Sequence, residues 1–469
     1  MNKNISSRNT VDKALRINLD EKKYGTIVEI GAGQEVARQF FKAGAAAGSI
    51  AKTMSAYDMK FSDAIYGVQE DGRYVSRARV QAMLEKEFDL VVDRVGTSRS
   101  VASRYFAYGA TVATKRFQAE NECHAWCGVR VQMYPAAEPS EIIVHVRMRD
   151  ENAERQQQAM GTFGVNLIYA AYYYFENAKT IIDSLTDNLE QDRIEVDSIE
   201  FYGPYFEEVD NRAINLHLIR SWKTRAIMFK PNGSVVIPAE MLYKKNVLTI
   251  RGTFRPVTRL NVDMIEQGLK FFCQLQGVTK KNSVALAEIS LNDIHGNDLG
   301  VAEKDLIESV RLLNSLGYSV MITDYTRYFS LRAYFRQFTK LQIGIVVGIM
   351  NIRQISTKAV PGVEGGILEG FGKLFPDHTR LLVYPEIDKS GEFRDYNNID
   401  LPENLQYLYR HLLENNFIFG IESSDHELFN IFSRNVLKQL QNGRGAWEEC
   451  VPPGVADEII ENKLFGYRD

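Results

Sequence analysis

Three side chains suited to proton transfer stand near the ends of predicted β-strands: Glu288, Asp324 and His295. Glu288 lies one residue before the end of one predicted strand and Asp324 directly follows another. A carboxylate at such a position can act as a general acid or base or bind a metal. His295 lies in the loop 292–298, whose Asp residues would orient an imidazole base. That loop is equally typical of a solvated turn, because Asn, Asp and Gly are turn residues.

Two cationic side chains occupy similar positions at the ends of other predicted strands, Lys230 and Arg251. Open α/β sheets and barrels both bind ligands at the carboxyl ends of their parallel strands. The combination of cations and carboxylates therefore predicts a site for a phosphorylated or nucleotide-like small molecule.

The stretch 24–41, YGTIVEIGAGQEVARQFF, joins a β-rich run to a helical run through Gly31-Ala32-Gly33. Such a strand–turn–helix can present backbone N–H groups and a helix N-terminus to an anion. The alternative is a tight turn in which Gly31 and Gly33 only supply positive φ, while Glu35 complements the helix dipole.

Two nucleotide-binding fingerprints fit this stretch in part. In S-adenosylmethionine-dependent methyltransferases an acidic residue ends the first strand and a Gly-x-Gly-x-Gly turn follows. Glu29, Gly31 and Gly33 fit this pattern, but Glu35 occupies the last glycine position. In dinucleotide-binding proteins the turn is Gly-x-Gly-x-x-Gly with an acidic residue about 20 positions on. Val36 replaces that last glycine, and no acidic residue stands between Glu35 and Asp58.

Arginines gather around Gly96-Thr97-Ser98, with Arg99 directly after it. Such a cluster either binds phosphate through charge-assisted hydrogen bonds or forms ion pairs with the nearby Asp89 and Asp93. Cys123 and Cys127 flank a histidine, but a zinc site usually needs a second pair of ligands. The other cysteines stand alone, so buried thiols on a strand are favoured and no metal site is predicted.

From residue 141 onward, strand-like runs alternate with helical patterns, which is typical of parallel pairing because parallel strands need a crossover. The strand-like runs are 141–148, 194–201, 226–230, 247–251, 284–289, 319–323, 343–348 and 381–384. The sequence thus predicts an α/β fold with open, doubly wound parallel sheets. A (β/α)8 barrel over 141–386 is the alternative, because eight βα units over roughly 245 residues match its size.

The two prolines in the segment 135–139 mark the best candidate boundary between domains. We therefore expect a mixed α/β N-terminal domain over 1–139. A parallel α/β region over 140–403, with room for two subdomains, would follow it. A helical tail over 404–469 would complete the chain.

Composition favours a folded protein of the cytoplasm. The 469 residues are 45% hydrophobic with a net charge of −4, which gives no general attraction to nucleic acid or to an anionic membrane. The longest uncharged apolar run, 343–350, is far shorter than the roughly 20 residues of a membrane span. The N-terminus lacks an apolar signal region. Four scattered cysteines are too few for a disulfide framework and indicate a reducing compartment.

The blocks YGTIVEIGAGQEVARQFF, SAYDM, LYKKNVLTIRGTFRPVT and GGILEGFGKLF together resemble a family of long bacterial proteins without an established function. Its members often carry the label nicotinate-nucleotide adenylyltransferase or TonB-dependent receptor. The first label implies an early histidine-rich motif, but the first histidine here is His124. The second implies a signal peptide and many amphipathic strands. The resemblance therefore implies a family and no mechanism.

Two functions from different classes follow. The first is an enzyme acting on a phosphorylated or nucleotide-like molecule, with a methyltransferase as a weaker variant and no cofactor identified. The second is a non-catalytic protein that self-assembles or binds partners. The second rests on the aromatic run 169–175, YAAYYYF, which at helical spacing is typical of a core or of a homo-oligomer interface.

Overall fold

The computed structural model describes residues 8–69, 72–116, 121–293, 299–357, 365–376, 378–388, 390–423 and 425–468. The chain forms two compact units, Met1–Thr224 and Arg225–Asp469. Each unit is built around its own main sheet. Among the described residues, no helix combines the length and the apolar character that crossing a membrane requires.

The first unit contains seven α-helices and six strands among its described residues. In chain order they are α1 (Thr10–Asn18), β1 (Lys23–Ile30), α2 (Glu35–Ala43), β2 (Ile50–Met54), α3 (Met59–Tyr66), α4 (Arg77–Val95), β3 (Arg104–Ala113), β4 (His124–Val131), β5 (Ser140–Met148), α5 (Ala153–Tyr173), α6 (Ala178–Ser184), β6 (Ile194–Tyr202) and α7 (Asn211–Arg220).

The first sheet has the order β2-β1-β3-β4-β5-β6 and is mixed. β1 pairs in parallel with β2 and β3, whereas β3 to β6 form an antiparallel meander. Alternate residues of β4, such as Cys127 and Val129, join α2 and α5 in one core. Glycine lets these helices come close, since a Cβ at Gly164 would lie 2.3 Å from Val36 Cγ2.

The second unit contains nine α-helices and ten strands among its described residues. They are β7 (Ala226–Phe229), β8 (Val235–Val236), α8 (Pro238–Leu242), β9 (Asn246–Arg251), α9 (Arg259–Phe272), β10 (Ser283–Ser290), α10 (Leu299–Ser315), β11 (Ser319–Thr323), α11 (Tyr328–Arg336), β12 (Ile343–Gly348), α12 (Ile349–Thr357), α13 (Gly366–Leu374), β13 (Thr379–Tyr384), β14 (Glu386–Ile387), β15 (Phe393–Arg394), α14 (Glu403–Glu414), β16 (Ile418–Gly420), α15 (Ser433–Asn442) and α16 (Val455–Asn462).

The second sheet has the order β16-β13-β12-β9-β10-β11-β7-β8. Its first six strands are parallel, and β7 and β8 extend the edge in antiparallel fashion. Numbered by their position in the chain, the six parallel strands have the spatial order 3-2-1-4-5-6, which is that of a doubly wound sheet. The prediction of open sheets is confirmed, and the alternative of a barrel over 141–386 is wrong.

Helices cover both faces of the second sheet. α9 packs on one face, where a Cβ at Gly268 would lie 2.7 Å from Val346 Cγ2. On the other face, Ile345 and Val383 share a core with residues of α11, α13 and α14. The C-terminal region is helical as predicted, although it also supplies the short strand β16.

The expectation that all strands from residue 141 onward pair in parallel is wrong for three of them. β5 and β6 continue the first sheet in antiparallel fashion, and β7 runs antiparallel to β11. The proline-containing segment 135–139 therefore connects two neighbouring strands of one sheet. The two units divide instead between Thr224 and Arg225.

Candidate functional site

At the carboxyl edge of the second sheet, Arg251, Glu288 and Thr323 meet from three adjacent strands. Arg251, the last residue of β9, donates from Nε and Nη2 to the two carboxylate oxygens of Glu288 at 2.6 and 3.0 Å. The Thr323 hydroxyl donates to the same carboxylate. The Glu288 side chain is fully buried and that of Arg251 is 8% exposed. The geometry is that of a bidentate, charge-assisted pair in which Arg251 fixes the carboxylate plane.

The loop between β11 and α11 contacts the Arg251 side of this pair. Arg251 Nη1 donates to the carbonyl of Thr326 at 3.0 Å, and its guanidinium lies 4.8 Å from the centre of the Tyr328 ring. Asp324 follows β11 and accepts a hydrogen bond from Arg225 at 2.8 Å. Its side chain is 13% exposed, and that of Arg225 is 54% exposed. Asp324 can therefore exchange its arginine for a ligand more easily than Glu288 can.

A cavity of about 200 Å³ lies beside this loop, between the start of α11 and the helices α12 and α13. Its walls are mostly apolar or aromatic, with a small number of polar groups among them. The lining residues are Thr326, Arg327, Tyr328, Phe329, Gln354, Ile355, Ile367, Gly370, Phe371 and Leu374. Such a composition is typical of a pocket for an organic ring.

A second polar cluster lies at the ends of β13 and β16, and sequence reasoning did not identify it. The carboxylate of Asp263, on α9, accepts hydrogen bonds from the hydroxyls of Tyr384 and Ser423. Nearby, burial raises the pKa of Glu386, while the charge of Arg353 opposes that shift. The residues come from three distant parts of the chain, so only the sheet order brings them together.

The structure places Lys230 away from this edge. β7 runs antiparallel to β11, with Phe229 paired to Val320 at the start of that strand. The end of β7 therefore lies at the amino edge of the parallel strands, opposite Arg251. Lys230 there forms a turn through the hydrogen bond from its N–H to the carbonyl of Ser234. The loop residue His295 lies outside the described residues.

In the first unit, a side chain of β1 forms hydrogen bonds with the N-terminus of α2, beyond the glycine turn. The carboxylate of Glu29 accepts hydrogen bonds from the N–H groups of Val36 at 2.9 Å and Ala37 at 3.1 Å. Gly31 and Gly33 have φ of +96° and +69°. Glu29 thus occupies part of the helix N-terminus that an external anion would use.

Burial raises the pKa of Glu29 to about 7, against 4.5 for an ordinary glutamate. The folded state therefore holds this proton more tightly than the unfolded state. The resulting stabilisation is present below pH 4.5 and is lost as the pH rises through 7.

We expect the first unit to lose about 3 kcal/mol of stability between pH 4.5 and 8 from this group. Denaturant unfolding at a series of pH values, with hydrogen exchange in β1 and α2, measures the effect. Glu29→Gln should remove this part of the pH dependence; an unchanged profile in that variant would assign it to other groups.

Arg99 lies at the other end of β1 from the glycine turn. Its guanidinium stacks 3.7 Å from the centre of the Tyr24 ring and donates to the carbonyls of Glu21 and Gly48. These contacts join the loop after α4 to the start of β1. They give Arg99 a structural role and place it apart from Gly31 and Gly33.

The aromatic run 169–175 contacts cationic residues of the same unit. Tyr169 and Tyr172 are buried, and the guanidinium of Arg16 lies 4.1 Å from the centre of the Tyr173 ring. Tyr169 accepts a hydrogen bond from the same arginine at 2.7 Å. The run thus holds α1 against α5, which accounts for its aromatic character within one chain.

Sequence reasoning also missed a chain of hydrogen bonds across β4, β5 and β6. His124 Nδ1 lies 3.0 Å from His145 Nε2, and His145 Nδ1 lies 2.5 Å from Asp197 Oδ1. These residues are 21 and 52 positions apart. The sequence signal that could have revealed the chain of hydrogen bonds is the alternation of side chains along a strand. If β4 and β5 are assumed to pair in antiparallel fashion, this alternation places His124 and His145 on the same face of the sheet.

No group of three or more His, Cys, Asp or Glu side chains in the described part of the chain is arranged to hold a metal ion. Cys127 is fully buried, and burial raises the pKa of its thiol to about 12. Such a thiol is inert at neutral pH.

No protein-family model and no curated protein sequence matches the chain. Solved structures show distant similarity over part of it. Plasmodium falciparum nicotinic acid mononucleotide adenylyltransferase complexed with NaAD is 15% identical, with a TM-score of 0.32, over 48% of this chain and 98% of that one. The competence/damage inducible protein CihA from Agrobacterium tumefaciens is 16% identical, with a TM-score of 0.27, over 34% of this chain and 94% of that one. Scores this low support no functional argument.

Proposed function

We propose that the second unit binds a phosphorylated, nucleotide-like small molecule at the carboxyl edge of its parallel strands. The observation that carries the proposal is the strand order 3-2-1-4-5-6, which reverses between β9 and β12. At such a reversal, the connections that follow the two central strands cross to opposite faces of the sheet. A crevice therefore opens between them at the carboxyl ends of these strands. Ligands of doubly wound sheets bind in that crevice.

The cavity beside α11 supplies the place for the ring of such a ligand. Aromatic rings offer flat apolar surfaces for stacking, and Tyr328, Phe329 and Phe371 line it. Its volume of about 200 Å³ is below the roughly 300–1,000 Å³ of pockets that enclose a whole ligand. The cavity would therefore hold the ring, while the phosphates extend into the open crevice.

The cavity wall includes an arginine that would contact the phosphates of an anionic ligand. Arg327 lines the cavity directly, and Arg251 lies at the end of β9. Because Arg251 forms a bidentate pair with Glu288 and donates to the Thr326 carbonyl, its role would be to hold the loop before α11 in place. Arg327 is then the cation assigned to the phosphates.

Proton transfer, if the bound molecule reacts, is assigned first to Asp324. A general base must reach the proton it removes, and Asp324 has an exposed partner in Arg225. Glu288 would act only after Arg251 had moved. Asp324→Asn is thus expected to lower the rate of a reaction at this edge more than it lowers the affinity for the ligand.

The test is isothermal titration of the full chain with ATP, adenosine and inorganic phosphate. We expect ATP to bind more tightly than either part alone, and Arg327→Met to weaken ATP at least tenfold, about 1.4 kcal/mol. Arg410→Met removes an exposed arginine from α14 and is the matched control. Equal ATP affinity in both variants, or no heat with any of the three ligands, would contradict the proposal.

A further inference from the structure

The chain Asp197–His145–His124 has the arrangement of a proton relay. His145 is fully buried and Asp197 is 2% exposed. A carboxylate beside Nδ1 fixes the proton of His145 on that nitrogen, because the carboxylate only accepts. His145 Nε2 then carries a lone pair and accepts from His124 Nδ1–H. By the same logic, His124 Nε2 is left with a free lone pair.

Charged and aromatic groups surround the relay on several sides. The Trp126 ring packs 4.9 Å from the His145 ring, centre to centre. Arg147 pairs with His124 across the strands, and Glu122 lies 3.7 Å from Arg147. The charges of Arg73 and Arg147 also act on His124. Burial lowers the pKa of His124 to about 3, so its imidazole is neutral at neutral pH and, taken alone, a weak base.

An open cavity of about 320 Å³ lies at the same edge of the first sheet. Glu122 and Cys123, which precede His124 in the chain, and Arg147, its cross-strand neighbour, line this cavity. His124 adjoins these residues but is not itself a lining residue. Other charged lining residues are Lys115, Arg149 and Asp150. Walls that carry both signs of charge suit a small polar molecule with hydroxyl groups, and its size is within the range of ligand pockets.

We propose that His124 is the general base of a second site, which acts on an O–H group of a small polar substrate or of water. The substrate O–H proton moves to His124 Nε2, and the Nδ1 proton of His124 moves to His145 Nε2. His145 becomes an imidazolium beside the Asp197 carboxylate, and the substrate oxygen keeps the electron pair. His145 and Asp197 are positioning residues, since they act through His124. The site belongs to the first unit and is independent of nucleotide binding by the second.

The first experiment is nitrogen–proton NMR of the full chain with labelled histidine at pH 7. The expected result is a proton on Nδ1 of both His124 and His145, with His124 Nε2 unprotonated. A proton on His124 Nε2 would overturn the proposal. This readout needs no variant and therefore does not depend on the folding of a mutant.

The second experiment follows acylation of His124 by diethyl pyrocarbonate, mapped by mass spectrometry. The imidazole Nε2 attacks the reagent carbonyl, ethyl carbonate leaves, and the Nδ1 proton passes to His145. Asp197→Asn should slow this reaction at least about tenfold, because general-base assistance typically contributes about 10²–10⁴-fold and the variant removes the part that depends on Asp197.

His217, which pairs with Asp183 at 2.8 Å in the same unit, is the internal reference and should keep its rate. Asp183→Asn is the matched variant and should leave His124 unchanged. An equal His124 rate in Asp197→Asn and the wild type, with His217 also unchanged, would overturn the relay.

Discussion

Gly31→Ala is expected to destabilise the first unit by about 2–5 kcal/mol. A Cβ at this position would lie 2.0 Å from the carbonyl oxygen of Val112, which is backbone and cannot rotate away. The residue also has φ of +96°, where an L side chain is strained. The conformational cost is about 1–2 kcal/mol and the overlap adds about 1–3 kcal/mol.

Gly33→Ala is the matched control for this prediction. Its φ is +69°, but no atom lies within 4 Å of the Cβ that it would gain. The expected loss is therefore about 1 kcal/mol. Denaturant unfolding of the two variants, with hydrogen exchange in β1 and β3, measures the difference. Equal losses would contradict the view that close contact with β3, and not positive φ alone, requires glycine at Gly31.

The strand–turn–helix around these glycines was predictable because its signals are local. The sequence predicts a strand ending at Ile30 and a helix beginning at Glu35, and the structure has both. What occupies the helix N-terminus was not predictable. Glu29 reaches Val36 and Ala37 only because the turn folds the chain back, and no propensity carries that information.

Strand pairing was less predictable than strand position. β5 is buried at eight of its nine residues, as a parallel core strand would be, although it pairs in antiparallel fashion on both sides. Burial on both faces gives the same continuous apolar pattern for either direction. The error moved Lys230 to the wrong edge, because its strand was taken to run in the direction of β11.

The candidate sites differ in the same way. Arg251 ends β9 and Glu288 lies near the end of the neighbouring parallel strand β10, so the rule that ligands bind at carboxyl edges brought them together. His124, His145 and Asp197 come from antiparallel strands. Their carboxyl ends point in alternating directions, so the rule for parallel strands does not predict at which edge a ligand would bind. Their alignment depends on cross-strand register, including the irregularity between His145 and Val146. A single sequence does not reveal such a register.

Arg251→Met is expected to destabilise the second unit by about 3–5 kcal/mol, because it removes the bidentate cation from the fully buried Glu288 carboxylate. Arg225→Met removes the partner of Asp324 in the same way, but that arginine is 54% exposed and the loss should stay below about 1 kcal/mol. Denaturant unfolding with hydrogen exchange in β9 and β10 compares the two.

The double variant Arg251→Met/Glu288→Leu distinguishes a burial cost from a stabilising pair. Removing both charges together avoids the cost of burying the carboxylate without the arginine, so we expect the double variant to regain most of the stability lost by Arg251→Met alone. Because Arg251 also holds the loop before α11 through Thr326 and Tyr328, ATP affinity should stay reduced in the double variant. Recovery of stability without recovery of affinity would separate the two roles of Arg251. A double variant as unstable as Arg251→Met would mean that contacts other than the ion pair dominate.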